Sequence, residues 1–198
     1  MSAQRGVVDE ELVIRQCQAG ESEAFRVLVE KYGRVLYGTA YLMTRDRSLS
    51  EDLVQEAFLL AWRGIRSFKA GTNFKAWLVR ILVHRVIDER RKKRPALAGD
   101  GGSAVETLAD SSHMEDAVLA EDDRRLVAAA LGTLPEDLRE TVVLRFYADL
   151  TVPEIAAAMG TAEGTVKSRL HRAMERLREH FRQGEGAGPG VENREDMR

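Results

Sequence analysis

The stretch Thr151–Phe181, TVPEIAAAMGTAEGTVKSRLHRAMERLREHF, holds two helical patterns divided by a glycine-bearing turn. "TVPE" sets a threonine three residues ahead of a glutamate, the reciprocal pairing that satisfies free N–H groups where a helix begins. A short helix is therefore predicted from Thr151 through Met159, a turn at Gly160, and a longer helix from Ala162 to Phe181. In the longer helix Val166, Leu170, Ala173, Met174 and Leu177 recur at helical spacing and form one apolar stripe. Gly164, Thr165, Ser168, His171 and Arg172 project from the opposite arc, with Lys167 and Arg169 flanking it. Those dimensions match a helix-turn-helix, whose second helix presents small, hydroxylic and cationic groups to base edges and phosphates in a major groove. Glu163, in the first turn, suits the helix dipole and the acceptor needs of a cytosine amino group. A helix dense in Arg and Glu is commonly just a solvated face. The capping boxes, the glycine turn and the small residues on one arc favour DNA recognition instead.

Upstream, a second box, "TLPE" (Thr133–Glu136), is expected to cap a helix whose Leu138, Val142 and Phe146 face inward, preceded by a helix from Asp116 to Leu131. Before that the composition changes. From Ala96 to Asp123 there are eight acidic residues and no Lys or Arg, with "AGDGGSA" near the start, which reads as a flexible acidic linker over 96–115. About 20 extended residues reach roughly 65 Å, so the modules on either side are expected to be separable.

The linker follows an abrupt charge boundary. Between Ala76 and Arg94 lie seven cations (Arg80, Arg85, Arg90, Arg91, Lys92, Lys93 and Arg94) against Asp88 and Glu89. That density is an electrostatic footprint for nucleic acid. The helix, expected over 74–91 with Thr72 or Asn73 as its cap, is apolar nearly all round in its first turns. One strip, Arg80, His84, Asp88 and Arg91, is left to face a ligand. The preceding loop, "SFKAGTNF", flanked by aromatics, is a candidate for holding an unstacked base. Trp77 taken alone is more simply a core residue.

Toward the N-terminus two short helices are expected between Asp9 and Gly33, with Ser22 capping the second, and another from Arg34 to Thr44. "SLSEDLVQEAFLLAWRGI" then forms a helix with Ser48 or Ser50 as cap. It has an apolar side (Leu53, Ala57, Leu60 and Ala61) and a second face carrying Gln55, Glu56, Leu59 and Arg63. The 198 residues thus read as all-α, two small helical domains at 9–95 and 116–182, and a glycine-rich tail at 183–198 expected to be disordered. Composition is 44% hydrophobic and 31% charged with a formal net charge of -2, ordinary for a globular chain. Cys17, the single cysteine, excludes an internal disulfide and suits a small buried apolar role. No apolar run approaches a spanning helix and no signal-peptide core is evident, so the expected location is cytoplasmic.

The motifs "SEDLVQEAFLLAW", "FKAGTNFKAWLVRILVHRVIDERRKKR", "LPEDLRETVVLRFYADLTVPEIAAAMG" and "GTVKSRLHRAMERLR" resemble, in order, those of the extracytoplasmic-function (ECF) group of bacterial RNA polymerase sigma factors. The resemblance spans roughly residues 9 to 182 and implies region 2 and region 4 domains that give core RNA polymerase its promoter specificity. It implies polymerase binding through Asp52, Gln55, Glu56 and Leu59. It implies minus-10 DNA contacts from Lys69, Thr72, Asn73, Phe74, Lys75, Arg80, His84, Asp88 and Arg91. Minus-35 contacts are implied for Gly164, Thr165, Lys167, Ser168, Arg169, His171 and Arg172. It implies too a linker threading toward the polymerase cleft and an anti-sigma partner, with no cofactor. His84 stands where many relatives carry asparagine, which bears on the preferred minus-10 base.

Two other classes compete. A helix-turn-helix regulator without polymerase docking leaves the basic cluster of the first module without a role. An enzyme lacks support: His84, His113, His171 and His180 show no metal-ligand spacing, Cys17 has no nearby partner, and no phosphate-cradling glycine loop occurs.

Overall fold

The computed structural model describes residues 9–69, 71–96 and 121–185, and every regular element among them is helical. Four helices form the N-terminal part: α1 (Glu10–Ala19), α2 (Ser22–Thr44), α3 (Arg47–Gly64) and, after a 3-10 turn at Ile65–Ser67, α4 (Phe74–Ala96). Asp9 begins α1 by accepting from the N–H groups of Glu11 and Leu12, and Gly20, at φ 100°, ends it in a left-handed conformation that glycine adopts without a Cβ penalty. The expected break near Gly33 does not occur. Leu28, Tyr32, Leu36, Ala40 and Met43 bury one continuous stripe of α2, and that packing outweighs the cost of its two internal glycines, Gly33 and Gly38. Nor does Ser22 cap α2; the N-cap is Glu21, without a side-chain bond.

The expected end at Thr44 is real, with Arg45 left-handed at the end of α2. Asp46, rather than Ser48 or Ser50, caps α3, its carboxylate accepting from Leu49 N at 2.9 Å. Ser50 is instead buried, 2.9 Å from the Thr44 hydroxyl. Asn73 caps α4 by accepting from Ala76 N at 3.2 Å.

The C-terminal part comprises α5 (Glu121–Gly132), α6 (Glu136–Val142), a π-helical turn at Val143–Tyr147, α7 (Val152–Met159) and α8 (Glu163–Glu185). Both halves of the Thr151–Glu154 capping box form, Gly160 turns the chain at φ 62°, and Val166 and Ala173 of α8 are fully buried. The helix-turn-helix stands as read. Removing the cap hydroxyl (Thr151→Ala) is expected to destabilise the chain by about 1 kcal/mol, to be measured by urea unfolding.

Two expectations here fail. Thr133 closes α5 by donating to Ala130 O at 2.7 Å and does not cap α6, which begins at Pro135 with no side-chain cap. Phe146 faces outward at 63% exposure, because the i→i+5 bond from Ala148 N to Val143 O (3.0 Å) widens the turn and rotates Val143, Leu144 and Ala148 inward instead. The linker expected at 96–115 and the tail from 186 lie outside the described residues, apart from Ala96, which ends α4. The tail's first residues, 183–185, still belong to α8.

The two parts are not held apart. Helix α7 lies on α4, while α6 and the π-helical turn lie on α2, so their buried side chains form one continuous core. The Tyr147 phenol fills a notch over Gly38, where a Cβ would stand 1.8 Å from the phenol oxygen. Arg139 donates to Met43 O (3.3 Å) at the end of α2, where a cation also suits the helix dipole.

Candidate nucleic-acid and protein interfaces

Three faces carry the side chains singled out by sequence. On α3, Asp52, Gln55, Glu56 and Leu59 are all exposed at i, i+3, i+4 and i+7, with Leu59 at 57% exposure and Leu60 beside it. The opposite side, Leu53, Ala57 and Ala61, packs into the core. Acidic and amide groups around exposed leucine suit a protein partner, since DNA phosphates would repel the carboxylates. Arg85 of α4 holds this face in place, meeting Glu56 at 3.1 Å and Asp88 at 3.3 Å. The Arg85 and Asp88 spacing of i, i+3 was the available signal for that bridge, but its reach to Glu56 depends on how α3 packs on α4.

On α4, Arg80, His84 and Arg91 are exposed along one strip and Asp88 is half-buried beside it. The opposite side is occupied by Leu78, Val79, Leu82, Val83 and Val86. Lys69 and Thr72 are exposed in the preceding loop, closed by the Thr72 hydroxyl donating to Lys69 O at 2.7 Å. Phe74, expected among the DNA contacts, is only 1% exposed, and Phe68 is likewise buried. Both pack with Trp77 in an aromatic cluster (Phe68–Phe74 5.2 Å, Phe74–Trp77 5.4 Å between ring centroids). The flanking aromatics anchor the loop and offer no stacking platform; its polar groups are what remains for a ligand.

Two of those polar groups meet the C-terminal part. Asn73 Nδ2 donates to Glu154 at 2.7 Å and Lys75 Nζ meets Asp149 at 3.2 Å. Burial by itself raises the Glu154 pKa, but bonds from Thr151 and Asn73 and the charge of Lys75 together hold it below the ordinary carboxylate value. Further along α4, Arg90 pairs with Glu136 at 2.7 Å and with Glu140, whose side chain is 5% exposed. Sequence reading assigned no partner to Arg90, because the two carboxylates lie about fifty residues away across a change of composition.

On α8, Gly164, Lys167, Ser168, His171 and Arg172 are exposed on one arc and Thr165 is half-buried. Arg169 differs: it pairs with Asp137 of α6 at 3.3 Å and is 23% exposed, so it ties α8 to its own scaffold. Ser168 bonds back to Thr165 O at 2.9 Å, and His171 sits 3.3 Å from Glu175. Lys167 and Arg172 have no ion-pair partner among the described residues. Among those residues no group of three or more His, Cys, Asp and Glu could hold a metal ion, and no helix is long and apolar enough to cross a membrane. Cys17 is buried and His180 exposed.

Residues 28–96 match the family Sigma-70 region 2, and residues 124–177 match Sigma-70, region 4. The chain is 33% identical over 177 residues to ECF RNA polymerase sigma factor SigW of Bacillus subtilis (strain 168), covering 85% of this chain and 95% of that one. It is 33% identical over 178 residues to ECF RNA polymerase sigma-E factor of Escherichia coli (strain K12), covering 85% and 92%. Among solved structures it is similar to the sigma factor RpoE in complex with the anti-sigma factor NepR from Bartonella quintana, with a TM-score of 0.67, 30% identity, and coverage of 80% and 96%. It is also similar to CnrH in complex with the cytosolic domain of CnrY, with a TM-score of 0.64, 26% identity, and coverage of 88% and 97%.

Proposed function

Because the chain belongs to the ECF RNA polymerase sigma factors, it is an alternative sigma factor that directs core RNA polymerase to promoters, and we propose how its faces divide that task. Residues 9–95 act as region 2 and 116–182 as region 4, joined by the acidic segment 96–115. The face Asp52, Gln55, Glu56 and Leu59 docks on the polymerase. The loop residues Lys69, Thr72, Asn73 and Lys75 and the strip Arg80, His84, Asp88 and Arg91 hold the minus-10 strand, with Phe74 supporting the loop from within. The arc Gly164, Thr165, Lys167, Ser168, His171 and Arg172 reads the minus-35 element, and Arg169 positions it. No catalytic residue, metal or cofactor takes part, and the site of action is the cytoplasm. An anti-sigma factor holds the protein inactive, as the complexed states of its structural relatives suggest.

The observation that carries this reading is the coexistence of an exposed acidic-apolar face on α3 with exposed cationic faces on α4 and α8. A regulator that only binds DNA needs the last of these alone. The test is transcription with purified bacterial core enzyme, with start sites mapped by primer extension. Initiation at shared upstream elements is expected. Tight binding to DNA by the protein alone, without initiation when core enzyme is added, would instead identify an ordinary helix-turn-helix regulator.

A further inference from the structure

We propose that the cleft between the end of α2 and helices α5 and α6 is a binding site for a phosphate oxyanion, with Arg45 and Arg139 as its two cationic walls. Arg139 comes from α6 and Arg45 is the residue that ends α2, and Tyr41 and Gly132 share the lining with them. The space is about 20 Å³ and open at its mouth, enough to seat one water-sized group such as a single phosphate oxygen while the other oxygens stay in solvent. These residues belong to none of the three faces assigned to polymerase or DNA.

The lining holds donors without acceptors. Arg139 Nε is buried and makes no hydrogen bond among the described residues, although the same guanidinium gives Nη2 to Met43 O at 3.3 Å. A charged N–H left in that state is costly, and an oxyanion is the acceptor that removes the cost. Neither arginine has an ion-pair partner among the described residues. Glu136 and Glu140, the carboxylates whose charge reaches Arg139, are both taken by Arg90. Burial pushes the Arg139 pKa down, Glu136 and Glu140 pull it up, and the Arg45 and Arg90 charges lower it again, leaving it below its ordinary value. Two guanidinium groups thus line one small cleft with their repulsion incompletely balanced, the arrangement that a bound anion relieves.

Arg45 is held in place for such a contact. Its φ of 58° is left-handed, a conformation that costs a non-glycine residue and that asparagine enters more readily. Its guanidinium lies over Gly132, where a Cβ would stand 2.8 Å from Nη1, 3.1 Å from Cζ and 3.3 Å from Nη2. A glycine on α5 therefore makes the room in which this guanidinium rests, and a fork already in position loses little freedom on taking an oxyanion. Leu42 and Leu131 keep part of the lining apolar, where a charge-assisted hydrogen bond is stronger than in water. A bound oxyanion ties α2 to α5 and α6 at once, so the ligand stabilises the chain by mass action.

The probes are inorganic phosphate and pyrophosphate, titrated by calorimetry into the full chain at constant ionic strength, with thermal unfolding followed in parallel. Binding with a dissociation constant on the order of 1 mM or tighter is expected, together with a rise in melting temperature beyond that given by matched chloride. Arg45→Asn, which suits the left-handed backbone while removing the charge, should weaken binding about 10- to 100-fold. Arg139→Gln should do the same where it folds. Arg26→Gln, which removes an exposed cation elsewhere on α2, should leave the affinity unchanged. Pyrophosphate tighter than phosphate by about tenfold or more identifies the terminal phosphate of a larger small molecule as the ligand, and equal affinities identify free phosphate; either result supports the site. A melting temperature that phosphate raises equally in the parent and in Arg45→Asn is exclusion of the salt from the whole surface and overturns the proposal. Absence of binding by both anions overturns it too. A DNA duplex that binds through Arg45 and Arg139 where neither small anion does assigns the pair to a DNA backbone, and the oxyanion site falls with that result.

Discussion

Replacing Arg172 with alanine is expected to lower initiation at promoters with an intact minus-35 element about 10- to 100-fold, the loss that follows when a base-reading arginine worth about 1–3 kcal/mol is removed. Arg172 is exposed on α8 beside Ala173, which is fully buried, so its guanidinium points away from the scaffold and has no ion-pair partner among the described residues. A guanidinium is able to meet the two acceptors of a guanine edge in fork geometry, which lysine cannot reproduce. Thermal stability should be unchanged, because nothing in the core rests on this side chain. Lys167→Ala serves as the contrast: a phosphate contact weakens every sequence alike and lowers the salt slope by about 1. Arg169→Ala should differ from both, losing stability through its bond to Asp137. Runoff transcription on a panel of promoters with single minus-35 substitutions separates these cases. If Arg172→Ala lowers all of them equally, the residue touches backbone only.

The helix-turn-helix was legible because each of its signals is local. A capping box, a glycine in the left-handed turn and an apolar stripe all act within a few residues, and tertiary packing had only to agree with them. The identical-looking box at Thr133 failed for a tertiary reason. Thr133 donates back to Ala130 O and ends α5, while Glu136 turns across the molecule to Arg90 at 2.7 Å. Phe146 failed for a local reason of a different kind. A π-helical turn changes the period from 3.6, so a stripe extrapolated from Leu138 and Val142 arrives on the wrong side.

The candidate faces divide in the same way. Exposure of Asp52, Gln55, Glu56 and Leu59 follows from the burial of Leu53, Ala57 and Ala61, and periodicity alone dictates it. The loop before α4 was harder, since an aromatic next to polar residues fits a stacking platform and a core anchor equally well in one dimension. Only the packing of Phe68, Phe74 and Trp77 on one another decides for the anchor. The contacts between α4 and the C-terminal part were not legible at all. They join α4 to residues beyond an acidic segment, and charge composition read locally assigned that basic cluster to DNA alone.

Arg90→Ala is expected to cost about 2–4 kcal/mol of stability at about pH 8, toward the lower side of what breaking a buried ion pair costs because Arg90 itself is 29% exposed. Glu140, 5% exposed, would keep its charge among apolar neighbours with its nearest counterion gone. Burial already pushes the Glu140 pKa up from 4.5; Arg90 and Arg139 pull it down, and Glu136 adds to the rise, leaving it raised. A raised carboxyl means the native state binds the proton more tightly than the unfolded chain. Stability linked to this group is thus fully present below about pH 4.5 and is lost as pH rises through the native value. Without Arg90 that native value climbs further and the window of loss widens toward neutrality. Urea unfolding of variant and parent across pH reads the difference directly, and contributions common to both, such as the lowered pKa values of Glu10 and Glu154, cancel. The gap should shrink as pH falls, and adding Glu140→Gln to the variant should remove most of its pH dependence. A gap independent of pH would mean that Glu140 is rehydrated once Arg90 is lost. The two parts of the chain would then already have separated, and the closed packing, not the ion pair, would set the scale of the effect.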